Sequence, residues 1–271
     1  MARYLDPKND LTFKRIFGEH PALLLNFLNA VMPFEAGRHI LTLEYLPVEQ
    51  VPDNPGKKNS IVDVKCRDNY DRQFIIEMQM DWEALFMNRI VFNAGKAYVR
   101  QLKRREAYHL LQPVYTLAIL NENFDRKTPH FYHHYRIVNR ENTEEIIPGL
   151  EFVLIELDKL RPETVSDRKL AVLWLRFLKE IDENVTALPP EMQANEHIRQ
   201  AAELCEESAF TPEELTAYDK YWDIIRTEIA VRESALQKGR AEGEATGLQK
   251  GRAEEREKTA VNIQETWLFD N

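Results

Sequence analysis

The sequence predicts an α/β fold: a mixed sheet flanked by helices, with a helical C-terminal extension. Three observations predict it. Val62, Val64 and Cys66 alternate with Asp63 and Lys65, and Phe74, Ile76, Met78 and Met80 alternate with Glu77 and Gln79, the period of two that marks a hairpin. A proline-free stretch from Trp82 to Ala107 follows at helical period. After it, "PVYTLAIL" is an unbroken apolar run suited to a strand buried on both faces.

Taken in order, "NDLTFKRIFG" reads as a short helix with Leu11, Phe13, Ile16 and Phe17 on its apolar side, Asn9 or Asp10 as its cap and Gly18 as its stop. "ALLLNFLNAVM" is a second, more apolar helix after Pro21. "HILTLEYLPVEQ" supplies a first strand, closed by the turn-forming "PDNPGKKN". In the hairpin, "RDNYDR" is turn chemistry. A loop centred on Tyr70 sets Asp63 opposite Glu77, with Cβ atoms ~4.5–5.5 Å apart. Asp63, Lys65, Glu77 and Gln79 then share one face and the apolar set the other, an arrangement that a slip of one residue would undo. On the long helix Phe86, Ile90, Ala94, Ala97 and Leu102 form an apolar stripe, while Arg89, Asn93, Lys96, Arg100 and Lys103 recur on another face. "FYHHYRIVN" and "EFVLIEL" are further strands. These elements give a mixed domain over residues 1–160.

Beyond it the texture turns helical. "KLAVLWLRFLKEI" and "HIRQAAELCEES" are helices, and "TPEEL" opens another with Pro212 in its first turn. Residues 161–232 therefore form a helical extension, whose Trp222 stripe is core or dimer contact. Residues 233–271 form a charged tail in which "LQKGRAE" occurs twice and Gly239, Gly243, Gly247 and Gly251 fall every fourth residue. Each glycine costs ~1 kcal/mol against alanine inside a helix, so the tail is either loosely ordered or lays its glycine face on a partner. The partner expected there is a second copy, giving a homo-oligomer through the C-terminal helical region.

The 271 residues are 44% hydrophobic and 30% charged, the balance of a soluble globular chain with a sizeable core. No apolar run reaches the ~20 residues that span a bilayer, so no membrane partner is expected. "MARYLDPKNDLTFKRIFGEH" has no apolar leader core, and Cys66 and Cys205 form no disulfide framework or zinc spacing, which together suggest a cytoplasmic protein. The net charge of −9 speaks against a protein that coats nucleic acid nonspecifically. A local exception runs from Arg89 to Arg105, where six basic residues (Arg89, Lys96, Arg100, Lys103, Arg104 and Arg105) occur without an acid.

By itself, an aspartate followed after thirteen residues by Glu-x-Gln is equally well a solvated strand face. Its companions are "PKNDLTFKRIFG", the basic stripe and the buried strand. With "IVDVKCRD", "FIIEMQM" and "NRIVFNAGKAYVRQLKRREAYHLLQPVYTLAIL", they make residues 6–157 resemble the PD-(D/E)XK nucleases, specifically the Rpn-type recombination-promoting nucleases, also described as transposases. The resemblance implies a restriction-endonuclease-like core and metal-dependent cleavage of DNA linked to recombination. It assigns Asp63 and Glu77 as acidic metal ligands, with the Met78 carbonyl completing the protein donors, and adds Asp10 from the first helix. Mg²⁺ is the implied ion, with Mn²⁺ or Ca²⁺ as alternatives. Gln79 stands where the family usually has lysine; it can orient water but carries no charge, so either activity leans harder on the metal or Lys65, two residues from Asp63 on the same strand face, supplies the cation. Arg89, Lys96, Arg100 and Lys103 are the candidate DNA-backbone contacts.

Each assignment has a plainer counterpart: Lys65 as a solubilising strand lysine, Asp10 as a helix cap, the basic stripe as a wet helix face. His130, His133 and His134 invite zinc, but adjacent strand residues face opposite ways and no further ligand has matching spacing. The sequence leaves two functional classes, a metal-dependent DNA endonuclease and a catalytically weak or inactive DNA- or protein-binding relative. Strand-joining transposase chemistry has no separate site-specific DNA-binding module here to support it.

Overall fold

A computed structural model describes residues 3–35, 37–49, 61–80, 82–83, 85–161 and 169–269, without the side chains of 169, 254 and 256–269. The "PDNPGKKN" loop and residues 162–168 lie outside the described residues.

The expected mixed sheet flanked by helices is present. Helices α1 (Asp10–Glu19) and α2 (Pro21–Val31) precede β1 (Leu43–Tyr45) and the hairpin of β2 (Val64–Asp68) and β3 (Gln73–Gln79). Helix α3 (Phe86–Val99) then leads to β4 (Val114–Leu120), β5 (Tyr132–Val138) and β6 (Ile146–Glu156). The six strands lie in the order β1-β2-β3-β4-β6-β5. The β3–β4 and β4–β6 pairs are parallel and the others antiparallel. The parallel pair β3–β4 follows from α3, which supplies the crossover that a parallel connection requires.

Burial divides by strand parity. Val64, Cys66, Phe74 and Ile76 point into the larger core with Phe13, Phe17, Phe27 and Trp174. Ile75 points the other way, onto Ala94 and Ala97 of α3. Being covered on both faces, β3 is apolar from Phe74 to Ile76, and the Glu77 that follows is taken out of water with them.

The hairpin register is held at its turn. Asp68 Oδ1 accepts the Tyr70 and Arg72 N–H groups at 2.9 and 3.0 Å, and its Oδ2 accepts Arg72 Nε at 2.7 Å. Both side chains are buried, with Asp68 fully so. Arg67 therefore pairs with Gln73 and Val64 with Ile76, a loop centred on Tyr70 as the turn residues imply. One step beyond the last pair stand Asp63 and Glu77.

Three local readings need correction. The helix after the hairpin is shorter than its lack of proline suggests, because the chain turns at Arg100 and Arg105 takes φ 78°. Gln101 fixes this turn by bonding both the N–H and the C=O of Gln112, each at 2.9 Å, so Leu102 and Lys103 fall outside α3. Val62 packs against Ile75 and Ala94 rather than with Val64 and Cys66, because the chain bends at Asp63 and the alternation is interrupted there. Gly18 lies inside α1, which continues to Glu19.

Helices α4 (Lys169–Glu180), α5 (Pro190–Gln193) and α6 (Glu196–Leu204) cover the larger core. Trp174 packs with Phe17, Phe27 and Phe177 and donates its indole N–H to Asn26 at 2.8 Å. Residues Met1–Trp222 form one compact unit and Asp223–Asn271 a second. In the first, Tyr218 packs with Leu5 and Phe210, and Trp222 lies against them. The second is part of α7 (Pro212–Phe269), so the glycine-containing tail is helical, and open space surrounds Gly239, Gly243, Gly247 and Gly251. Among the described residues no helix is long and apolar enough to cross a membrane.

Removing one partner of the turn ion pair leaves a buried charge uncompensated. Asp68→Ala is expected to lower unfolding free energy by about 3–5 kcal/mol, measured by denaturant titration, whereas Asp71→Asn on the exposed side of the same turn, which keeps a side chain suited to its φ of 60°, changes it by less than about 0.5 kcal/mol.

Candidate active site

The carboxyl end of β3 opens into a cleft of about 250 Å³, lined by Lys8, Asp10 and Phe13, by Ile61 and Asp63, by Glu77, Met78 and Gln79, and by Arg89 and Tyr221. Each element arrives for a separate reason. Asn9 caps α1 by accepting the Leu11 N–H, which leaves the Asp10 side chain at the rim, paired with Lys14 at 2.7 Å. The bend at Asp63 ends the ladder, and the Asp63 carboxylate takes the place of the missing strand by accepting the Met78 N–H at 2.7 Å.

Backbone alternation then fixes Met78. Gln73 N–H bonds Pro113 and the Gln79 carbonyl accepts from Asn121, so odd residues of β3 bond toward β4 and even ones toward β2. The Met78 carbonyl thus lies on the Asp63 side of the strand. Glu77, only 6% exposed, turns to α3 and accepts a hydrogen bond from Asn93 Nδ2 at 3.2 Å. Gln79 Oε1 accepts from the Arg89 guanidinium, which also lies over the Phe86 ring at 5.0 Å.

Burial raises the pKa of both acids. It pushes Asp63 up to about 6, with the Asp10 charge adding to the rise, against the Met78 N–H, Lys14 and Arg89. It pushes Glu77 up to about 8, with the Asp63 charge adding, against Arg89, Asn93 and Lys14. The cleft cations reduce this crowding of negative charge without cancelling it. Two carboxylates and a strand-end carbonyl are all oxygen donors, so the residues present fit a hard divalent cation that keeps several waters. Among the described residues no group of three or more His, Cys, Asp or Glu side chains is placed to hold an ion, so the protein's share of such a site is this small set.

The structure brings together Asp10, Asp63, Glu77, Met78, Gln79 and Arg89. It does not bring Lys65 to them. Lys65 pairs with Ile75, two residues further from the cleft, and is buried there; burial and then the Arg100 charge lower its pKa. Arg89, which lines the cleft, and Lys14 are the cations whose charges act on both acids instead. Lys96 lies 5.3 Å from the Phe92 ring and Arg100 caps the C-terminus of α3, so both stay on the helix flank leading away from the cleft. Lys103 is in the turn beyond it. His133 bonds Glu156 and His134 bonds Glu151, each at 2.8 Å, so the adjacent histidines serve different acids.

Sequence reasoning put Asn93 on the wet stripe, but it is 1% exposed. Its place next to Ile90, Ala94 and Ala97 on the helical wheel was the available signal. Lys8 was readable only as a neighbour of Asp10. Tyr221 arrives from 142 residues beyond the end of β3, and no local pattern announces it.

An acid pair at the carboxyl end of a central strand, in a mixed sheet covered by helices on both faces, is the architecture of the PD-(D/E)XK class. The chain belongs to that class: the family model described as "PD-(D/E)XK nuclease family transposase" matches residues 7–234. No curated protein and no solved structure matches the chain.

The raised Glu77 pKa gives a signed expectation for the metal-free protein. Between its ordinary 4.5 and about 8 the folded state binds more proton than the unfolded, so stability falls as pH rises through that window. Glu77→Gln keeps an acceptor for Asn93 and removes the charge. In EDTA it is expected to flatten this decline, so that its gain in Tm over wild type is larger above about pH 8 than near pH 5, as thermal melts across pH would record.

Proposed function

We propose that this protein is a metal-dependent DNA endonuclease of the recombination-promoting, transposase-associated type, hydrolysing phosphodiester bonds with Mg²⁺ as its ion. The observation that carries this reading is the half-buried Asp63 and the buried Glu77 together at the mouth of the cleft, both with raised pKa values, with Arg89 and Gln79 alongside. An acid pair this costly to bury is poorly explained as surface decoration.

Asp63, Glu77 and the Met78 carbonyl would hold the ion, and Asp10 lies close enough to act on the site through water. When bound, such an ion neutralises charge on the phosphate and acidifies a water for attack. Asn93 keeps Glu77 directed into the site. Arg89 supplies the positive charge that Gln79 lacks, and by holding Gln79 Oε1 it leaves the amide N–H groups as the donating end of that side chain. Burial lowers the effective dielectric around Glu77, which strengthens its interactions with Asn93 and Arg89.

Cleavage of supercoiled plasmid tests the reading. Nicking is expected with Mg²⁺ or Mn²⁺, none in EDTA, and none in Asp63→Ala or Glu77→Ala. Arg89→Ala is expected to lose roughly 10²–10³-fold in rate, the scale of one lost electrostatic donor, while Lys65→Ala keeps most of it. Wild type that binds DNA yet is as inert as both acid variants would favour the non-catalytic relative.

A further inference from the structure

The flank of α3 beside Asn93 is not an ordinary wet helix face. At 3.6 residues per turn, Leu85, Phe92, Lys96, Val99, Arg89 and Arg100 fall within an arc of about 100°. Apolar and basic side chains alternate along it, and the apolar ones stand in solvent: Leu85 is 72% exposed, Phe92 44% and Val99 66%. No acid occurs from Leu85 to Arg105. At its start Arg89 lines the cleft. At its far end the Gln101–Gln112 bonds bring the chain back to the helix terminus, and the Tyr108–Leu110 turn presents Tyr108 at 84% and Leu110 at 50% exposure.

Phosphates alone would call only for the cations. An intact duplex turns its phosphates outward and shows its bases as edges within grooves, so it gains little from Phe92, Val99 or Tyr108. Unstacked bases present faces, and stacking one on an aromatic ring is worth ~1–3 kcal/mol. Lys96, 5.3 Å from the Phe92 ring, puts a phosphate partner next to a stacking platform. An acidic apolar peptide would also match the charge, but the stripe begins in a cleft whose acids and arginine suit a phosphodiester.

We propose that this flank is a track for unpaired DNA, with bases on Phe92 and Tyr108 and phosphates on Lys96 and Arg100, delivering a single-stranded or locally opened segment to the cleft. The choice of DNA over an acidic peptide and the delivery to the cleft both rest on the nuclease reading above.

The test uses the full chain carrying Glu77→Gln, in EDTA, with fluorescence anisotropy on oligothymidylate and on a duplex of equal length. The single strand is expected to bind at least ~10-fold tighter. Phe92→Ala and Tyr108→Ala should each weaken it ~5–100-fold with duplex affinity within about twofold, and Phe92→Trp should restore it. Lys96→Ala should weaken both forms and reduce the salt slope by about one. Equal binding of the two forms, or a Phe92→Ala variant that leaves the single strand unaffected or weakens both forms alike, overturns the proposal. So does failure to bind either DNA. Plasmid nicking is scored separately: track binding without nicking removes the nuclease reading alone, and nicking with neutral Phe92→Ala and Tyr108→Ala removes the track alone.

Discussion

The buried Asp68–Arg72 pair is the constraint on which the site depends. A carboxylate that accepts two N–H groups of its own turn and a guanidinium admits one loop length, and that length fixes β2 against β3. Side chains alternate with a period of two and β3 is also held by β4, so a slip of one residue at the turn would shift β2 and move Asp63 away from Met78 and Glu77. The aromatic surroundings secure the pair: Arg72 lies 4.8 Å from the Phe34 ring and 5.0 Å from Tyr70. A charge network five residues from each acid along its own strand thus decides whether they meet.

What meets there is energetically unfavourable by itself. Strand β3 is covered by α3 on one face and by the larger core on the other, so Glu77 meets water only through the cleft. The protein answers with partial remedies: one amide from Asn93, one main-chain N–H for Asp63, and the nearby charges of Arg89 and Lys14. Both carboxyls still titrate above their ordinary range, so the folded chain carries local destabilisation that a divalent cation would relieve. Such a concentration of cost in a molecule whose net stability is only ~5–15 kcal/mol points to use rather than accident.

Much of this was legible in the sequence because it is local. Alternation marked β2 and β3, continuous apolarity marked β4, and turn chemistry centred the hairpin on Tyr70, which together set Asp63 opposite Glu77. The bend at Asp63 was not legible, since Val62 keeps the apolar alternation while the backbone leaves the ladder. The end of α3 was also hidden: no proline or glycine marks Arg100, and the stop is made by Gln101 reaching to Gln112. Lys65 looked like the site's cation because strand parity puts it on the right face. Parity does not state distance along the strand, and two residues of rise, ~7 Å, leave it beside Arg100 instead.

Arg89 resolves what the hairpin alone leaves incomplete. A strand residue at position 79 can project only along the sheet normal, and Gln79 brings no charge there. A helix crossing that face offers a longer side chain from a separate backbone, set by its own packing: Phe86 and Ile90 bury into the sheet, and this rotates Arg89 toward Gln79 and Asn93 toward Glu77. One turn-by-turn pattern on α3 therefore does two things. Its buried arc anchors the helix and aims Asn93, and the adjacent arc carries Arg89 and the solvent-facing row beyond it. The positive charge needed at the acids and the surface leading up to them share one rigid element, so neither can move without the other.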